Sequence, residues 1–242
     1  MLNIKEDAAY SDEVKKYILT YIDIFCEALD IALSRDNFML FKFKSIFCES
    51  NTTLPAFVIN IKGLNFALVH VENTQASAFV TKQLPNYVFY NVLKATPQRN
   101  SKPSEIFDKS YNLDDIRSIT MHELTHLTDM TRLKDKNYLK DTSRLADKDI
   151  NAYYQHPIEN NAYVMQLLLV VSDFFEKEFP IYQDKITKQN VVQVVSRFLN
   201  KNTPPAIWQA MESLPEKYKH KVAKRLYSYI QYIYNKKINN SL

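Results

Sequence analysis

Residues 122–126 read His-Glu-Leu-Thr-His, two imidazoles four positions apart with a carboxylate beside the first. Four residues advance an α-helix by about 400°. On a helix, His122 and His126 therefore share a face and can reach one metal ion. Glu123 sits between them around the helix, placed to touch a water on that ion without binding the ion itself. Zinc lowers the pKa of such a water towards about 7. The chemistry to expect is amide hydrolysis by a metal-activated water. Glu123 acts as general base and then passes the proton to the leaving amine. The expected cofactor is Zn2+, and the expected substrate is a protein or peptide.

That chemistry requires the motif to lie on a helix with one side in the core. Asn112 can cap, and Asp114 and Asp115 suit a first turn. Ile116, Ile119, Leu124, Leu127 and Met130 lay an apolar stripe beside the histidines. The pattern predicts a helix over 113–132. Asp129, three residues after His126, shares the histidine face and could hold a ligand's other ring nitrogen; Asp115, seven before His122, is a second such acid.

Catalytic zinc usually takes three protein ligands, and the third must come from elsewhere in the chain. Glu159 is the leading candidate. It stands 33 residues beyond His126, and Pro157 starts a helix that puts it in the first turn. Asn161 and Ala162 are small enough for close helix approach. His156, Asp149 and Asp147 are rivals. Tyr153 and Tyr163 lead the candidates for a proton donor to the oxyanion. His70 and His220 have no partner in sequence and read as structural.

The pairing of His122-Glu123-Leu124-Thr125-His126 with a later helix carrying Glu159-Asn160-Asn161-Ala162 resembles the zincin metallopeptidases. Only Gly63 is a glycine, so none follows His126. The zincin class that takes a third histidine after a helix-breaking glycine is thereby excluded. The class with a glutamate ligand, the gluzincins, remains. Within it, the chain resembles the ImmA/IrrE family and small zincins of phages and mobile elements over about residues 112–170. It departs from their usual pattern at Asn160-Asn161, where an acid or alanine is more common. The resemblance implies an intracellular peptidase with narrow targets.

The rest of the chain must position this site. Ser11-Asp12-Glu13 opens a helix to about Ser34, with Val14, Ile18, Ile22, Phe25, Leu29 and Ala32 at helical spacing, a broad stripe suited to packing on a sheet. Strands are expected at 37–47, 56–61, 65–71, 78–81 and 87–93, with a tight hairpin at Lys62-Gly63. Residues 94–112 read as loop and 133–155 as a charged connection. Further helices are expected at 157–178, 187–200, 205–213 and 214–236, the last opened by a Ser213–Glu216 capping box. The fold class is α+β: an N-terminal helix and small mixed sheet packed on the motif helix, then a helical C-terminal lobe. The expected divisions are 1–111, the N-terminal helix and sheet; 112–180, the zincin core; and 181–242, a basic helical subdomain.

The 242 residues are 46% hydrophobic and 24% charged, a globular balance. No run approaches the roughly 20 apolar residues of a membrane span, and the charged first residues do not resemble a signal peptide. The expected location is the cytoplasm, or a virion if the chain is a phage component. Cys26 and Cys48 are expected as buried thiols. The last 62 residues hold 11 Lys and Arg against 3 Asp and Glu, a charge of +8, which leaves −4 for the rest. In the last helix Lys217, Lys221, Lys224 and Arg225 oppose Val222, Leu226, Ile230 and Ile233. That cationic face is either solvated or meets an acidic partner or nucleic acid. Two other function classes stand beside the peptidase: a zincin-fold assembly protein with an idle site, and a nucleic-acid-binding protein. Oligomeric state is not legible.

Overall fold

Ile18, Ile22, Phe25, Leu29 and Ala32 form the buried side of α1 (Asp12–Arg35) in the computed structural model. The structure describes residues 12–36, 38–44, 53–72, 76–81, 83–133, 148–178 and 205–240. The chain divides into two compact units, Met1–Lys136 and Asn137–Leu242. The expected helix at 187–200, Asp147 and Cys48 lie outside the described residues.

The first unit is a mixed α+β structure. Its strands are β1 (Met39–Lys44), β2 (Thr53–Ile61), β3 (Leu64–Val69), β4 (Ala78–Thr81) and β5 (Leu84–Asn91). They lie in the order β1-β2-β3-β5-β4. All neighbours are antiparallel except β3 and β5. The β2–β3 turn is the expected hairpin: Lys62 and Gly63 have φ of 49° and 88°, the pair of positive angles a two-residue turn of matching twist needs. The loop at 94–112 contains a short helix, α2 (Pro103–Ile106). The motif helix is α3 (Leu113–Leu133).

Alternation along the strands sorts two faces. Phe57, Phe66, Leu68, Val88 and Tyr90 point to the side on which α1 and α3 pack. Phe25 of α1 stacks on Phe66 with ring centroids 4.1 Å apart and on Tyr90 at 5.1 Å. An ion pair from Arg117 to Asp23 joins α3 to α1. Ala56, Val58, Ala67, Val69 and Phe89 make a buried cluster on the opposite side, ringed by Phe43, Phe79 and Tyr87.

The second unit is helical where described: α4 (Ile150–Gln155), α5 (Pro157–Glu178), α6 (Pro205–Glu212) and α7 (Glu216–Asn240). Its core includes Leu167, Leu168 and Val171 of α5, Ile207 and Ala210 of α6, and Leu226 of α7. Tyr154 donates to Gln209 Oε1 at 3.0 Å, and Gln155 Nε2 to the Ser213 carbonyl at 2.8 Å. Two expectations are corrected. The end of the 133–155 connection is helical, because Asp149 Oδ1 accepts from the backbone N–H groups of Asn151 and Ala152 and nucleates α4. Ser213 does not open α7; its hydroxyl turns back to the Ala210 carbonyl at 2.8 Å and closes the helix before it. No helix among the described residues is long and apolar enough to cross a membrane.

Candidate metal centre

The motif helix is held at its start by a reciprocal cap. Asn112 Oδ1 accepts the Asp115 N–H at 2.9 Å, and Asp115 Oδ2 accepts the Asn112 N–H at 3.1 Å. This is the role the structure gives Asp115, in place of the support to a histidine ring that its spacing allowed. One turn on, Thr120 is fully buried. Its hydroxyl donates to the Ile116 carbonyl at 2.6 Å and lies 2.9 Å from the Tyr90 hydroxyl of β5. The helix is thus fixed to the sheet two residues before His122.

From Thr120 to Leu127 every residue is buried. His122 and His126 are 7% and 6% exposed, and their Nε2 atoms are 3.0 Å apart with the rings nearly perpendicular at 85°. Two zinc–nitrogen bonds of about 2.0–2.1 Å at a tetrahedral angle would set those atoms about 3.3 Å apart. The pair therefore fits an ion with an adjustment of a few tenths of an ångström. Glu123 and Asp129 are buried on the same helix, at 6% and 5% exposed. Burial pushes the Tyr90 hydroxyl far above its usual range; the negative charge of Glu123 adds to the rise, and the Thr120 hydrogen bond opposes it. Tyr90 is consequently a neutral anchor.

Tyr90 and Thr120 carry no signal in the sequence that would mark them as partners. Strand alternation puts Tyr90 with Val88, but only the packing of α3 on β5 supplies its hydrogen bond. Tyr90→Phe is expected to lower stability in urea unfolding by about 0.5–1.5 kcal/mol. The Thr120 hydroxyl keeps the Ile116 carbonyl as its acceptor, so no buried donor is orphaned. The zinc content should not change.

In the second unit, Pro157 opens α5 and Glu159 follows in the first turn, 4% exposed. His156 ends α4, its N–H donating to the Tyr153 carbonyl at 3.0 Å, while its own carbonyl accepts the Asn160 N–H at 2.9 Å. Asp149 is committed to capping. Tyr153 and Tyr163 both pack edge-on against Tyr154, at 5.5 and 5.4 Å between centroids. Lys221 and Lys224 of α7 are exposed and Leu226 is buried, in line with the two-sided pattern of that helix.

Among the described residues, His70 and His220 are not brought into a ligating set. His70 donates from Nδ1 to the Leu93 carbonyl at 2.7 Å and tethers two loops. His220 is exposed on α7. Cys26 is a free thiol whose pKa burial raises to about 11, against the opposing charge of Arg117. Comparison of the chain with protein-family models, curated proteins and solved structures finds no match.

Proposed function

We propose that the protein is a zinc-dependent peptidase of the gluzincin type, in which His122, His126 and Glu159 hold the ion and Glu123 is the general base. The observation that carries this reading is the convergence of two buried imidazole Nε2 atoms, 3.0 Å apart, beside a buried glutamate on one helix. Support for Glu159 is its burial in the first turn of α5, where a carboxylate is a zinc-type ligand. A mixed sheet with α1 and the motif helix on one face supports a zincin-like fold, and with it the likeness to the ImmA/IrrE family.

When bound, zinc supplies Lewis-acid chemistry that makes a water nucleophilic near neutral pH and polarises the scissile carbonyl. Glu123 takes the proton from the attacking water and delivers it to the leaving nitrogen. Tyr153 or Tyr163 donates a hydrogen bond to the developing oxyanion. Among the described residues β4 pairs only with β5, and α3 packs on both. The free edge of β4 would hold an extended substrate by strand addition.

Metal analysis tests the core of this reading. The purified protein should carry about one zinc per chain. In competition with a chelator, Glu159→Ala should weaken zinc binding by more than about 100-fold, because an outer-shell partner alone is worth about 10–100-fold. His156→Ala should leave it near wild type. The reverse result would move the third ligand to His156, and a folded protein that takes up no metal would end the proposal.

A further inference from the structure

The edge of the sheet away from the motif helix is β1. We propose that β1 binds an extended peptide in which acidic and apolar side chains alternate, by strand addition. β1 and β4 are the two edges of the sheet. Four strand spacings of about 4.8 Å separate them by roughly 19 Å. Among the described residues β1 pairs only with β2, and no described strand takes the backbone groups of its other edge.

The two sides of β1 state what that strand should be. Leu40 and Lys42 point to one side and line a cleft of about 580 Å³. Pro55 and the buried Pro97 give the cleft an apolar floor, and Lys42 and Arg99 give it two exposed cations. Neither cation has an ion-pair partner among the described residues. The wall that presents Arg99 is built: Gln98 N–H donates to Ser101 Oγ and Ser101 N–H to the Gln98 carbonyl, both at 3.0 Å. The Ser104 N–H donates to Asp36 Oδ1 at 2.9 Å and ties the same segment to the end of α1. On the other side of β1, Met39 and Phe41 are 56% and 40% exposed.

A strand added to this edge sends successive side chains alternately to the two sides. Those over the cleft meet Lys42 and Arg99, so carboxylates are favoured there. Those on the other side meet Met39 and Phe41, so aliphatic side chains are favoured. The occupant is therefore a protein segment with acidic and β-branched residues in alternation. Binding here is independent of peptidase activity, since none of these residues belongs to the candidate metal centre.

The test uses the full chain and a fluorescein-labelled, acetylated Val-Glu-Val-Glu-Val-Glu peptide, followed by fluorescence anisotropy with and without a chelator. Saturable binding is expected, equal in both conditions. The double variant Lys42→Glu, Arg99→Glu should lose at least about tenfold in affinity and gain affinity for the corresponding Val-Lys peptide. Phe41→Ser should weaken the Val-Glu peptide while sparing the charge preference. Three results would each overturn the proposal: no saturable binding up to about 1 mM, which is already a weak affinity; equal affinity for a Gly-Glu peptide of the same charge, which means unspecific attraction; or undiminished binding of a peptide methylated on alternate backbone nitrogens, which cannot add as a strand. Circular dichroism confirms that the exposed substitutions leave the fold intact.

Discussion

Glu123→Gln is expected to keep its zinc and its folding stability and to lose peptide cleavage by about 10²–10⁴-fold. The substitution preserves the size of a side chain that is 6% exposed. It removes the group that accepts the water's proton and the group that protonates the leaving amine, which are the same carboxylate. Since Glu123 is not a metal ligand in this reading, zinc content should match wild type. Mass spectrometry of a cell lysate gives the readout without a known substrate: new peptide termini should appear with wild type and not with Glu123→Gln. Identical sets of termini from lysate treated with either protein and from untreated lysate, across several pH values with zinc present, would favour a fold that retains an idle site as an assembly part. Equal cleavage by both proteins would place the activity elsewhere.

His122→Ala is expected to purify without metal, and added zinc should leave its melting temperature unmoved. Wild type, with free zinc at about 100 times the dissociation constant, should gain about 2.7 kcal/mol of stability from mass action alone. The useful quantity is the zinc-induced increment, not the absolute stability. His122 is buried against His126, so truncation also removes packing and a polar contact in the metal-free protein. Thermal unfolding of both proteins, with zinc and with chelator, separates the two effects. A zinc-dependent shift of the same size in His122→Ala would show that the ion binds somewhere else.

Features with short-range causes are legible in the sequence. The α1 stripe from Ile18 to Ala32 is buried as its spacing requires, and Lys62-Gly63 makes its turn because two residues must adopt positive φ there. The motif helix is amphipathic as expected, with its start fixed by Asn112. Long-range features are not legible. Nothing local says that β5 inserts beside β3 in parallel and leaves β4 at the edge. Nothing local pairs Tyr90 with Thr120. The residue types at Ser213 and Glu216 fit a capping box, but the Ser213 hydroxyl finds a nearer acceptor in the Ala210 carbonyl. Of the candidate site, His122, Glu123 and His126 follow from spacing on one helix. Glu159 follows only from the expectation that Pro157 opens another helix.

The strand order also bears on synthesis at the ribosome. β5 lies between β3 and β4, so the chain passes outward and returns, and the parallel neighbour of β3 is made only after β4. α3, which covers the same face, is later still. At about 5–20 residues per second, translation takes roughly 3–13 s to advance from Val69 to Leu133. Among the described residues, α1 is the helix packed on this face that is already made when that interval begins. The Phe25–Phe66 stack is therefore more than a contact of the finished core. It joins α1 to β3, two elements that both precede the helix bearing the two histidines in the order of synthesis.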